Sequence, residues 1–241
     1  MFDSRVDRLV ACVVLACALA ISAGVRADDV DDRSTDGFRS TDGLFEVTVT
    51  NLTRGQQFTP ILVASHRAGV RLFELGKPAS AGLQTLAEEG NVAPLTQALQ
   101  AQSGVLEVTN SGALLNPGAS VKIQVRTRGS FDHVSVAAML IPTNDGFFAV
   151  NGVQGPRGRD PRVLTSVAYD AGSERNDELC ASIPGPFFSE CGGPGGGAAP
   201  SGGEEGYVHV HAGIHGIGDI TASLRDWRNP VARITIQRMR R

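Results

Sequence analysis

The chain has 241 residues, a formal net charge of −3 and 41% hydrophobic residues. That length allows one sizeable core, and single all-β domains of this size are ordinary. So mild an acidic balance offers nucleic acid no electrostatic footprint, and one tryptophan is too few for an extended stacking platform.

Residues 1–27 read as an export signal. Arg5 and Arg8 supply the positive start, residues 9–23 carry no charge, and Val25, Arg26 and Ala27 place small residues before Asp28 at the cleavage spacing. An apolar run of about 15 residues is short for a membrane span, so a short anchor helix is only the alternative. Val14, Leu15 and Ala16 before Cys17 leave a lipoprotein variant open, although apolar residues continue past Cys17. Cleavage would remove three arginines and two aspartates, leaving 19 cationic against 23 anionic residues, a charge of −4. No other apolar run approaches spanning length. The expectation is a soluble, secreted protein, extracellular or periplasmic.

Residues 28–43 are polar and acidic, with Ser-Thr-Asp-Gly at both 34–37 and 40–43, and read as a flexible leader. Order begins at Leu44. Phe45, Val47 and Val49 alternate with Glu46, Thr48 and Thr50, the period-two pattern of a half-buried strand. Residues 58–65 and 70–75 are further strand candidates, with Pro60 favouring an edge or bulge. Helical spacing appears once, over 81–87 and 92–99, where Leu83, Leu86, Val92, Leu95 and Leu99 share faces. Gly90 and Asn91 interrupt it and Pro94 suits a first turn, giving two short helices over one end of the sheet. Strand patterns return at 105–109, 120–127, 133–141 and 146–150. Residues 138–141 are apolar on both faces, which predicts a central position for that strand.

Residues 184–206 include 13 glycines or prolines among 23 residues, a composition that builds no core and reads as a long mobile loop. Only about 35 residues follow, too few for a second domain without staples. Residues 207–211 and 231–237 must therefore return as strands to one domain spanning 44–239. Runs of strands around a helical insertion predict a mainly all-β fold, an antiparallel β-sandwich of two sheets. Cys180 and Cys191, with ten residues between them in an oxidising compartment, close one local loop most simply, two free thiols being the alternative.

The chemistry concentrates in two places. Asp170 and Glu174 flank the turn at 171–173, so both carboxylates can fold toward one point. Asn176, Asp177 and Glu178 extend that loop, and Thr143, Asn144 and Asp145 supply a second. Loop carboxylates converging on hard oxygens suit calcium, the alternative being solvated loop acids. The segment is no EF-hand: Arg175 stands where its glycine would be and Ala181 where its closing glutamate would be. The rival is a histidine cluster. His209 and His211 project from one face of a strand, and His215 follows four residues later, an arrangement that could hold zinc or another borderline cation in a cupin-like, metal-dependent enzyme. His66 and His133 are isolated and read as structural. No Gly-x-Ser-x-Gly elbow, Walker loop or His-Glu-x-x-His occurs. Asn51-Leu52-Thr53 is a formal glycosylation sequon that overlaps the end of the first strand.

Several stretches together resemble one family: FEVTVTNLT (45–53), MLIPTND (139–145), YDAGSE (169–174), NDELC (176–180), GYVHVHAGIHGIGD (206–219) and DWRNPV (226–231). In order and number they are similar to the spondin N-terminal domain shared by F-spondin and mindin, and more closely to its stand-alone bacterial relatives. The resemblance implies a C2-like antiparallel β-sandwich without catalysis, acting as a secreted adhesion or interaction module. It further implies Ca2+ held by Asp145, Asp170 and Glu174, with Asn144 and Asp177 as additional candidates. The partner would be a protein or an envelope or matrix component. Two departures stand beside that implied site: Glu174 where the family carries Asp, and Gly146 where the animal domains carry Trp.

Overall fold

Alternation in the first strand is literal: Phe45, Val47 and Val49 are buried while the residues between them face outward. In a computed structural model, residues 42–197 and 201–239 are described. The expected signal at 1–27, Cys17, and all but the last two residues of the expected leader lie outside the described residues. In chain order the elements are β1 (Asp42–Asn51), β2 (Gln57–Phe58), β3 (Leu62–His66), α1 (Ala81–Glu89), α2 (Ala93–Gln100), β4 (Val105–Asn110), β5 (Ser120–Arg128), β6 (His133–Ile141), β7 (Gly146–Gln154), β8 (Arg162–Ser166), β9 (Ala168–Asp170), β10 (Phe187–Phe188), β11 (Gly193–Pro194), β12 (His209–Val210), α3 (Ala222–Arg225) and β13 (Ala232–Arg238).

They form an all-β sandwich. One sheet runs β5-β1-β13-β8 and the other β12-β9-β7-β6-β3-β4, with β2 paired to β6, and the pairings within both are antiparallel. Among the described residues no strand pairing joins the two sheets. Between them lies a core built on Phe45, Phe58, Val136, Met139, Phe148 and Ile234. Burying each such side chain contributes about 1.5–3 kcal/mol. A second core covers the outer face of the larger sheet, where Leu83, Leu86, Leu95 and Leu99 of the helices meet Leu62, Ala137 and Phe147. The helices thus cover a face and not an end, which explains why β6 and β7 are apolar on both sides. As expected, β6 is central. Ser80 caps α1 through its side chain, which accepts from the Leu83 N–H, and Gly90 closes it at φ 67°.

Residues 70–75, expected as a strand, form none. Asn151 holds this segment instead: its Oδ1 accepts from the Leu72 N–H at 2.7 Å and its Nδ2 donates to the Phe73 carbonyl at 2.8 Å. A side chain does the work of a ladder, so the backbone need not run beside β7. The Gly/Pro-rich loop also contains more structure than its composition suggests. Residues 184–197 carry the β10–β11 hairpin, Phe188 enters the main core, and Glu190 makes a two-pronged ion pair with Arg225 at 2.7 and 2.8 Å. Two of its glycines sit where backbone packs tightly: a Cβ on Gly195 would lie 1.9 Å from the Ile183 carbonyl oxygen and one on Gly196 2.0 Å from that of Ala181. Cys180 and Cys191 are joined in a disulfide that ties the acidic loop to this hairpin. The Asn51 amide of the sequon is buried and donates to Gln56 and Leu115 carbonyls at 2.8 and 3.1 Å, so it is structural. No helix among the described residues is long and apolar enough to cross a membrane.

Candidate functional site

Strand register builds the site. Asp170, the last residue of β9, pairs with Gly146 of β7 on one side and His209 of β12 on the other. Directly paired residues share a sheet face, so Asp170 and His209 point the same way, and the glycine opposite leaves room. His211 uses that room. A Cβ on Gly146 would lie 2.9 Å from the His211 ring and 2.7 Å from Thr143 Oγ1. The position that departs from the animal domains is therefore filled from the histidine strand.

Asp145, in the turn between β6 and β7, is fully buried beside Asp170. Its Oδ2 accepts from the Ser173 and Glu174 N–H groups at 2.8 and 3.0 Å, which fixes the turn at 171–174. Gly172 turns there at φ 64°, and a Cβ would strike the Tyr207 backbone at 2.3 Å. Asp145 Oδ1 is buried and has no hydrogen-bond partner. Burial first, and the Asp170 charge second, push the Asp145 carboxyl up to about 7, against the pull of the two N–H groups. Asp170 is also fully buried; its Oδ1 accepts from the Gly172 N–H at 2.7 Å and its Oδ2 from Asn176 Nδ2 at 2.8 Å. Glu174 lies buried on the same turn, so the three expected ligands share one corner of the molecule.

Asn144 and Asp177 are brought to the same loops but committed elsewhere. Asn144 donates to Asp177 Oδ1 at 3.1 Å and accepts from the Glu178 N–H at 3.3 Å. Asp177 also accepts from the Leu179 N–H at 3.0 Å and from Ser182 Oγ at 2.8 Å. Both fasten loops together. Asp177, expected at most as a further ligand or a surface acid, has a side chain only 7% exposed.

The histidines, expected as a rival site, arrive at the same carboxylate. His209 Nε2 lies 3.6 Å from Asp170 Oδ1 and His211 Nε2 lies 3.9 Å from Asp170 Oδ2. Burial works against charge on His209, yet its hydrogen bond to the Val210 carbonyl and the carboxylates of Asp170, Glu205 and Asp145 raise it above its ordinary value. Burial lowers His211 despite the pull of Asp170. His215 does not join them. Its ring is 57% exposed and its nearest acid is Glu178, at 3.9 Å.

Glu178 is the residue that sequence reasoning passed over as one more loop acid. Buried, its carboxylate accepts from three successive N–H groups, those of His215, Gly216 and Ile217, at 2.6, 2.7 and 2.9 Å. Its own carbonyl accepts from Asp219 at 2.8 Å. It sits at φ 54°, a region that costs a non-glycine residue energy and that these bonds outweigh. The glycines at 213, 216 and 218 were the available signal, since a run of turn-forming backbone needs something to receive its N–H groups. Asp145, Asp170 and Glu178 together act as the framework of this end of the sandwich.

Comparison with curated proteins finds no match. The model of the spondin N-terminal domain, Spondin_N, matches residues 50–174, from β1 through the Asp145–Asp170–Glu174 corner. Glu178, Glu205 and the histidine strand fall beyond the matched stretch. The chain belongs to the spondin N-terminal domain family.

Proposed function

We propose that this protein is a secreted, non-catalytic interaction module of spondin type that binds Ca2+ through Asp145, Asp170 and Glu174. The ion would order the loop end through which the module meets an envelope or matrix component. One observation carries the reading: the buried Asp145 carboxyl has its proton affinity raised by burial and by the neighbouring Asp170 charge, and its Oδ1 lacks any hydrogen-bond partner. Like charges in that position need a proton or a cation, and a corner of carboxylate oxygens suits calcium's demand for hard ligands. Family membership and the disulfide support an exported protein.

An interaction role is supported by what surrounds the corner. Leu179, Tyr207, Val210 and Ile217 are large, apolar and exposed. Each is tied to the site: Leu179 follows Glu178, the Ile217 N–H bonds to Glu178, the Tyr207 ring lies 5.4 Å from that of His209, and Val210 separates the two histidines. Exposed apolar side chains gathered at one end mark an interaction surface.

Melting the protein with calcium and with chelator tests the metal. Saturation at a hundredfold excess over the dissociation constant raises stability by about 2.7 kcal/mol. Calorimetric titration should show calcium affinity falling strongly in Asp170→Asn and less in Glu174→Gln, whose longer side chain water replaces more easily. An unchanged melting temperature at saturating calcium would remove the ion from this account.

A further inference from the structure

The two histidines beside Asp170 are chemically opposite. His209 Nδ1 lies 3.1 Å from the Val210 carbonyl oxygen. A carbonyl only accepts, so Nδ1 carries the proton and the neutral ring leaves a bare lone pair at Nε2. That Nε2 is buried, has no hydrogen-bond partner, and faces Asp170 Oδ1 at 3.6 Å and Glu205 Oε2 at 3.9 Å. Ligand atoms from Asp170, Glu205 and His209 all lie within 4.8 Å of one another. With the ring neutral, a lone pair and two carboxylates gathered so closely hold no donor among them, and a cation can take that place in competition with a proton on Nε2.

His211 supplies the independent observation. Its Nδ1 accepts from the Gly213 N–H at 3.0 Å, so in the neutral ring the proton resides on Nε2. The His211 side chain is 2% exposed, and its Nε2 reaches toward Asp170 Oδ2 at 3.9 Å without a hydrogen-bond partner. This ring cannot ligate through Nε2 while the Gly213 bond stands. It can steady Asp170 from behind as an outer hydrogen-bond donor, which is how ligating carboxylates are ordinarily oriented.

We propose a cation site on the His209 side of Asp170, formed by His209 Nε2, Asp170 Oδ1 and Glu205 Oε2, that takes a borderline divalent cation of the zinc class, with water completing the shell. Three protein donors including an imidazole nitrogen suit a four-coordinate borderline cation. Calcium would find too few oxygens and an unsuited nitrogen there. His211 is a positioning residue. The site shares Asp170 with the calcium reading but does not require it, because His209 and Glu205 are absent from that ligand set. Occupancy would fasten the end of the Gly-rich stretch, through Glu205, to the paired β9 and β12.

The test uses the full mature protein stripped with chelator, titrated calorimetrically with Zn2+ and followed by visible absorption with Co2+, each with and without saturating calcium. One equivalent should bind. Affinity should fall about tenfold or more in His209→Ala and in Glu205→Gln, and by about tenfold in His211→Gln, in line with the loss of ligands and of an outer-shell donor. Glu174→Gln should leave zinc binding intact while weakening calcium. His209 is partly exposed, so its removal should leave the melting temperature in chelator unchanged, which separates ligand loss from misfolding. Equal zinc affinity in wild type, His209→Ala and Glu205→Gln would overturn the proposal, as would calcium binding dependent on Glu174 without zinc binding. Zinc binding without calcium binding would leave this site standing and sink the calcium reading.

Discussion

The sheet β5-β1-β13-β8 and the loop end around Asp170 are held by opposite means. In the sheet, backbone pairs with backbone: β1 matches β13 from Phe45↔Arg238 to Asn51↔Ala232 without a break, and side chains only decide which face is buried. At the loop end, carboxylates receive the backbone. Asp145 holds two N–H groups, Asp170 one, Asp177 one and Glu178 three. A ladder survives most single substitutions, because no side chain is a member of it. A loop end wired through acids makes each acid structural, and it gathers negative charge where a cation can then act. Affinity for a cation and dependence on a few side chains have one origin.

Removing the most connected acid should break the contrast most severely. Glu178→Ala leaves three N–H groups without an acceptor and should cost about 3 kcal/mol or more, as charge-assisted bonds to a buried carboxylate are the strong ones. Urea unfolding measures this. Glu178→Gly, which relieves the positive φ but also loses the carboxylate, should recover no more than about 1 kcal/mol of that loss.

The next effect is a pH slope. Asp145 titrates near 7 in the folded protein against 3.8 as an isolated group. A raised carboxyl pKa favours the folded state at low pH, and that advantage is lost as pH rises through 7. In chelator, stability should therefore fall by about 2 kcal/mol from pH 5.5 to pH 8 relative to Asp145→Asn, a comparison that subtracts the histidines. Saturating calcium should flatten the slope, since the ion favours the ionised pair. A slope identical in Asp145→Asn would show that the paired carboxylates share no such strain.

The sequence made the sheet legible because its signal is local. Alternation at 45–49, helical spacing at 83–99 and the two-sided apolar run at 138–141 each report a burial pattern within one element. The β8 strand escaped because it carries no such pattern; Val163 on this edge strand is 57% exposed. That Asp145, Asp170 and Glu174 come together was also legible, Asp170 and Glu174 from their spacing around a glycine turn and Asp145 from a second loop and the resemblance. What could not be read was that His209 lands opposite Asp170, since a register 39 residues apart is set by β7, β9 and β12 pairing together and by no motif in either strand. Histidines and acids therefore looked like rivals when they were neighbours.

Gly146 sharpens this point with a smaller effect. Its missing side chain is the space into which His211 packs, with the His211 ring edge-on to Trp227 at 5.0 Å between centroids. Gly146→Ala should destabilise by about 1–3 kcal/mol through overpacking. Combining it with His211→Ala should recover part of the loss, so a double-mutant cycle should show coupling of about 1 kcal/mol. Strict additivity would mean that the glycine is needed for some other reason.

Asp177→Asn should give the smallest effect and divides framework from site. Read from sequence, Asp177 is a loop acid near the candidate ligands, and its neutralisation would either weaken calcium or do nothing. Its burial and contacts give a different expectation. Oδ1 receives the Leu179 N–H and the Asn144 amide, and Asn in its place keeps that oxygen. Oδ2 receives Ser182 Oγ and faces Arg175 at 3.7 Å, and there the variant presents an NH2 group. The serine hydroxyl can turn to accept, while the arginine meets a donor in place of a charge. Arg175 is half exposed, so its share is small. The loss should be about 1 kcal/mol in urea unfolding, with calcium affinity changed less than about threefold, because a structural bond of this kind is worth that much and contributes no ligand. A calcium loss as large as that of Asp170→Asn would place Asp177 among the ligands and would mean that the loop rearranges on binding.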